Sequence, residues 1–169
     1  MYERILVPLD GSQLAEDVLP YVKALAEKFG STVTLLRVVP PIEAYMMASM
    51  ETPIIGQAVT PYPTIDTAGI EQAEKEAATE YLQKLTANWS TGKSDAKQVV
   101  TEGPAAEMIL EAARNPGADL IAMTTHGRGG LARLVMGSVA DEVIRKAACP
   151  VLLVRVSKNE ASPPPQGEG

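Results

Sequence analysis

Cysteine and histidine are nearly absent from this chain of 169 residues, with Cys149 and His126 occurring once each. One thiol excludes an intrachain disulfide, and one imidazole excludes the usual Cys/His zinc sites. Aromatic residues amount to 4%, namely Phe29, Trp89 and five tyrosines, against 46% hydrophobic residues overall. The core is therefore expected to be aliphatic. Positive charge is also scarce: 15 Lys+Arg face 21 Asp+Glu, a formal charge of −6, which argues against nucleic acid or an anionic membrane as a general partner. No uncharged apolar run approaches the roughly 18 residues of a membrane span. The start, Met1-Tyr2-Glu3-Arg4, has no basic leader region. A soluble, cytoplasmic chain without a membrane span is expected.

What is present alternates. Five short apolar runs are separated by segments of helical periodicity, the pattern of a parallel sheet covered by helices. Arg4 to Pro8 is continuously apolar after its arginine, as in a strand buried on both faces. Leu14, Val18, Tyr21, Val22, Leu25 and Phe29 then mark one face of a helix that Gly30 stops. Pro20 falls inside that helix, where it should bend it at a cost of about 3 kcal/mol. Thr32 to Val38 reads as the second strand. Residues 40–66 hold five of the 13 prolines together with Met46, Met47 and Met50. They read as a long irregular insert, with only a weak helical pattern at 43–50 and an adaptable methionine packing surface.

A second helix, Ile70 to Thr86, would turn Ile70, Ala73, Ala77, Tyr81 and Leu85 inward and its charged residues to solvent. A strand at Ala96 to Thr101 leads to Gly103-Pro104, with Pro104 opening a third helix whose Ile109, Leu110 and Ala113 face the core. Asp119 to Met123 is the fourth strand, a fourth helix begins near Ser138, and Val151 to Val154 is the fifth strand. The tail 157–169 lacks Val, Ile, Leu, Met and aromatics, so disorder is expected there. One α/β domain over residues 1–156 follows, an open, doubly wound sheet of five parallel strands sandwiched by helices, Rossmann-like in type. Its ligand crevice belongs at the carboxyl ends of the strands, where the strand order reverses.

The segment best suited to chemistry runs from Thr124 to Ser138, between the fourth strand and the fourth helix. It carries Arg128 and Arg133 and no acid, a local charge of +2 within a negative chain. Gly127, Gly129 and Gly130 permit close main-chain approach to phosphate oxygens, though they would equally make a plain tight loop. Ser138, with Asp141 three residues on, reads as an N-cap in a capping box. His126 has no nucleophile, acid or ligand near it in sequence, which gives it little claim to catalysis. Gly127 to Ala132 matches the dinucleotide pattern G-x-G-x-x-A, but it lacks the acidic residue about 20 positions on. No Gly-Lys-Ser/Thr occurs, so a bound phosphate would rest on main-chain amides. At the end of the first strand, Asp10 is either a turn residue or a carboxylate that binds ribose hydroxyls or magnesium, and Ser12 is a helix N-cap.

Three blocks resemble the universal stress protein family across residues 1–156: Ile5 to Ser12, Ala118 to Gly129, and Gly137 to Val154. The resemblance implies an adenine nucleotide alpha hydrolase-like sheet, usually in a homodimer that pairs through the fifth strand, Val151 to Val154. It also implies an ATP-binding branch and a branch that does not bind nucleotide. The ATP-binding pattern is Gly, two residues, Gly, nine residues, Gly, then Ser or Thr. Here those places hold Thr124, Gly127, Gly137 and Ser138, so threonine stands where the first glycine is expected. By the same resemblance Asp10 would hold ribose or magnesium, and Val38 would meet adenine through its main chain. Pro8, Leu9, Met123 and Val139 would line the pocket, and Arg128, Gly129 and Gly130 would lie beside the phosphates. The expectation is an adenine-nucleotide-binding stress-response module with ATP as ligand, magnesium through the phosphates, and at most slow hydrolysis. The alternative is a dimeric member without nucleotide that acts through protein contacts.

Overall fold

The computed structural model describes residues 1–43, 66–89, 95–115, 117–125 and 136–155. Strands β1 (Arg4–Pro8), β2 (Thr32–Val39), β3 (Ala96–Glu102), β4 (Leu120–Thr124) and β5 (Val151–Val154) form one sheet in the order β3-β2-β1-β4-β5. All four neighbouring pairs are parallel. Successive strands step outward from β1 to β3, and the chain then returns to the other side of β1. The switch point therefore lies between β1 and β4.

Alternation along each strand sorts the apolar residues onto two faces. Ile5, Val7, Val33, Leu35, Leu120 and Ala122 point to one cluster, closed by Ala15, Val22, Ala26 and Leu82 from α1 (Gln13–Glu16), α2 (Leu19–Phe29) and α3 (Thr67–Ala87), and by Val18 between α1 and α2. Leu6, Leu36, Ile121 and Met123 point to the other. That face is closed by Ala106, Ile109, Leu110, Ala113, Ala140 and Val143 from α4 (Ala105–Arg114) and α5 (Ser138–Lys146). Each fully buried Leu, Ile or Val here is worth about 1.5–3 kcal/mol. The exposed i,i+4 ion pairs Glu80–Lys84 and Glu142–Lys146 contribute about 0.3–0.5 kcal/mol each, so apolar burial dominates the stability.

Several local expectations are corrected. The first helix is two pieces, interrupted at Asp17-Val18. Pro20 lies in the first turn of α2, where no intrahelical N–H is lost, so it starts a helix instead of bending one. Tyr21 and Phe29 are 52% and 39% exposed, with Phe29 set edge-on to Tyr2. In α3 the buried residues are Ala78 and Leu82, with Tyr81 and Leu85 packed beside them. Ile70, Ala73 and Ala77 are exposed instead. The first turns instead carry polar contacts, with Lys75 paired to Glu102 of β3 at 2.8 Å. Pro104 is the N-cap of α4 and not its first helical residue. The strand expected from Asp119 to Met123 spans Leu120–Thr124. Asp119 stays outside it and accepts from the main-chain N–H groups of Glu3 and Arg4 at 2.8 and 3.1 Å, which pins the amino end of β1 beside β4. Most of the 40–66 insert, including its weak helical pattern and methionines, lies outside the described residues, as does the tail 157–169.

Candidate functional site

The carboxyl end of β1 is built by side chains that are close in sequence. Asp10 follows β1 directly, and its Oδ1 accepts from the Ser12 N–H at 2.9 Å and from Ser12 Oγ at 2.5 Å. Ser12 Oγ in turn accepts from the Ala15 N–H at 3.1 Å, so Ser12 is the N-cap of α1, as the sequence suggests. Both readings of Asp10 are thus compatible. One carboxylate oxygen makes the turn, while the residue stays half-buried at the crevice end of β1.

Unequal strand lengths shape the crevice. The β1–β2 register ends at Pro8↔Leu36, whereas β2–β3 pairing continues to Val39↔Glu102. Three residues of β2 therefore stand above the end of β1, a step of about 10 Å at 3.3 Å per residue. The Leu9 N–H donates to the Leu36 carbonyl at 2.8 Å, while Val39 receives the Gly103 N–H on the β3 side at 3.0 Å. By alternation, the N–H and C=O of Val38 point to the β1 side, past the last β1 residue. Val38 thus presents a donor and an acceptor edge over the crevice. Its side chain packs on the α4/α5 face, the face that also holds Met123 and Val139.

On the far side of the switch point, Thr124 is the last residue of β4. It pairs in register with Val154 and is 7% exposed, so it belongs to the strand and not to the following loop. Thr125 donates its N–H to Val154 O at 3.1 Å and accepts the Gly137 N–H at 3.0 Å. That second bond ties the start of α5 to the end of β4. Gly137 is the N-cap of α5 and no side chain caps that end; Ser138 is the first helical residue, which corrects its expected cap role. Gly137 has ordinary backbone angles, φ −60° and ψ 146°. A Cβ there would come no closer than 3.6 Å to Thr125 O. Among the described residues nothing demands glycine at 137. Gly127, Arg128, Gly129 and Gly130 lie outside the described residues, as do His126 and Arg133.

The structure adds groups that sequence reasoning did not single out. Arg37 donates through Nη1 to the Leu9 carbonyl at 3.5 Å, and the Tyr81 hydroxyl donates to Glu16 Oε1 at 3.1 Å. Burial first, and then the negative charge of Glu16, push the Tyr81 phenol well above its ordinary range; Asp10 and Arg37 also act on it electrostatically. Arg37 carried a signal in the sequence, as the one charged residue in the run Thr32 to Val39. Tyr81 carried none, because it looks like any aromatic on a helix. Among the described residues no group of three or more His, Cys, Asp or Glu side chains could hold a metal. Asp10 alone fits magnesium only as one ligand beside phosphate oxygens and water, the usual way Mg²⁺ is bound.

The model of the universal stress protein family matches residues 1–155. The chain belongs to that family. A universal stress protein of Methanocaldococcus jannaschii, MJ0531, is 30% identical over 164 residues, covering 95% of this chain and 86% of its own length. The solved structure of MJ0577 from the same organism superposes with a TM-score of 0.76 at 26% identity, covering 94% of this chain and 99% of that one. Two more distant solved members share the fold: a universal stress protein in complex with cAMP (18% identity, TM-score 0.57, covering 92% of this chain and 98% of that one), and an Arabidopsis thaliana family protein with AMP bound (12%, TM-score 0.60, 92% of each). The parallel five-stranded sheet described above is the sheet of this family. Among the described residues, no helix of this universal stress protein is long and apolar enough to cross a membrane.

Proposed function

We propose that this universal stress protein binds an adenine nucleotide, with ATP as the ligand, at the carboxyl ends of β1, β2 and β4. The observation that carries this reading is the step between β1 and β2. It leaves the main-chain donor and acceptor of Val38 pointing over the crevice, the complement of an adenine edge, while Asp10 sits at the foot of the step beside the switch point. Pro8, Leu9, Met123 and Val139 give the apolar lining. A base held by aliphatic side chains and main chain suits a chain with 4% aromatics. Phosphates would lie toward Gly137 and Ser138, where the N-terminus of α5 offers main-chain N–H groups and a favourable dipole, with Arg128 and the glycines 127, 129 and 130 beside them. Magnesium would bridge the phosphates and Asp10. That relatives carry AMP and cAMP supports the adenine nucleotide class. The reading is of a binding and regulatory module with at most slow hydrolysis. We also assign homodimer pairing to β5, the edge strand whose Val151, Leu152 and Leu153 remain half-buried.

Calorimetric titration with Mg-ATP, AMP and cAMP, together with mass spectrometry of nucleotide released from denatured protein, tests the proposal. Saturable heat with one adenine nucleotide is expected. No heat at millimolar ligand and no released nucleotide would overturn it. That result would favour the second reading, a dimeric member acting through protein contacts, for which Thr124 in the place of the family's glycine is the supporting observation.

A further inference from the structure

We propose that Tyr81 is a positioning residue for the carboxylate of Asp10, acting from α3 through Glu16 and α1, with Arg37 as a second anchor from β2. The inference rests on the nucleotide reading for its functional meaning, but the relay itself is made of contacts within the chain.

Asp10 lies just past the last sheet bond on this side, in which the Leu9 N–H donates to the Leu36 carbonyl at 2.8 Å. Ser12 contributes to its orientation, with its N–H and its hydroxyl both donating to Oδ1. The position of Ser12 depends on α1, which it caps through the Ala15 N–H. A helix of four residues cannot persist by itself, since helix nucleation is unfavourable and propagation over one turn does not repay it. What holds α1 must therefore come from outside. Ala15 supplies one buried apolar contact. Val18, fully buried just after the helix, adds a second, and a polar hold acts on Glu16, the last helical residue, whose carboxylate accepts the Tyr81 hydroxyl at 3.1 Å across a sequence separation of 65 residues. Tyr81 itself packs against the α1/α2/α3 cluster, so its ring is a fixed post. Arg37 fixes the other end of the same short segment, donating to the Leu9 carbonyl at 3.5 Å. The segment Leu9 to Glu16 is thereby clamped at both ends by residues from β2 and α3, and Asp10 lies between the clamps. By reciprocity, a ligand that orders Asp10 also stabilises the Tyr81–Glu16 bond, which makes α3 the element that responds to occupancy.

The test uses the full chain with Tyr81→Phe, Glu16→Ala, Glu16→Gln and the Tyr81→Phe/Glu16→Ala double variant. Hydrogen exchange of the ligand-free protein is measured at the Ser12 and Ala15 amides, with the Ile5 to Val7 amides as reference. Loss of one net hydrogen bond should speed exchange about 3- to 10-fold at Ser12 and Ala15 in Tyr81→Phe and Glu16→Ala. Glu16→Gln, which keeps an acceptor oxygen, should restore slow exchange, and the double variant should be no faster than either single one. If the wild type binds Mg-ATP, its affinity should fall by a similar factor in Tyr81→Phe and recover in Glu16→Gln. Unchanged exchange at Ser12 and Ala15, equal acceleration at the β1 reference amides, or unchanged affinity beside a binding wild type would each overturn the relay. A wild type that binds no nucleotide removes the nucleotide reading while the exchange data still decide the relay. If Tyr81→Phe does not fold, the contrast between Glu16→Ala and Glu16→Gln carries the same decision.

Discussion

Gly137 donates its N–H to the carbonyl oxygen of Thr125 at 3.0 Å, joining the first turn of α5 to the last residue before the glycine-rich segment. Because Gly137 has φ −60° and room for a Cβ, Gly137→Ser should leave the fold intact. A serine at an N-cap is as good as glycine or better by a few tenths of a kcal/mol, so thermal unfolding should stay level or rise. A side chain at that position stands where a phosphate oxygen would approach the main chain. Calorimetry should show nucleotide affinity falling at least tenfold while the melting temperature holds.

Asp10→Asn and Asp10→Ala separate the turn role of Asp10 from its proposed role toward the ligand. An asparagine keeps an oxygen for the Ser12 N–H, so its stability should match the wild type, whereas alanine should lose about 1 kcal/mol. Both should weaken Mg-ATP binding, because neither supplies a negative charge for metal or ribose. Paired denaturant melts and titrations read the two effects independently.

In α3, Leu82→Ala should cost about 2–5 kcal/mol, since Leu82 is fully buried and its loss leaves a cavity. Ile70→Ala should change stability by less than about 0.5 kcal/mol, because Ile70 is 40% exposed. Urea melts of the two variants check which face of the helix packs on the sheet.

The four-residue spacing that suggested Ile70, Ala73 and Ala77 as core was real periodicity, but tertiary placement decided which part of it was used. Local features were legible. The β1 span, the Ser12 cap and the Gly30 stop each depend on neighbours within a few residues, and Gly30 does adopt a left-handed conformation with φ 68°. Pro104 and Ser138 each sit one residue from the expected position, which changes their roles at the helix start, and Pro20 starts a helix because the break at Asp17-Val18 has no local signal. At the candidate site, the place of Asp10 just past the carboxyl end of β1 is legible from the end of that apolar run, whereas the switch point between β1 and β4 emerges only from the strand order in the fold. The step that exposes the Val38 main chain is not legible either, because it depends on the register between strands 28 residues apart. The Tyr81–Glu16 contact was still less visible, since no spacing rule relates residues so distant in sequence.

Alkaline stability offers a test of the Tyr81 environment. Its phenol is held above the usual value of 10.0 by burial and then by Glu16, so the folded state resists ionisation more than the unfolded chain. The unfolded state therefore releases this proton first as pH rises past about 10. Stability contributed by neutral Tyr81 is complete below that pH and declines above it. Melts at pH 8 and pH 11 should show a smaller loss for Tyr81→Phe than for the wild type.

Asp119→Ala should destabilise by about 1–3 kcal/mol, because it strips acceptors from the N–H groups of Glu3 and Arg4. The site lies at the opposite end of the sheet, so nucleotide affinity should not change. Calorimetry on the variant below its melting temperature checks this.

The three residues by which β2 outreaches β1 bear on how such a chain tolerates divergence. An edge formed by peptide groups is rebuilt by any residue but proline at position 38, provided the strand keeps its length and its pairing with β3. Substitution can then run through the side chains of that strand without touching the groups it offers, whereas a one-residue insertion or deletion before Val38 would turn them toward β3 and close the edge. Strand length, more than residue identity, sets that edge.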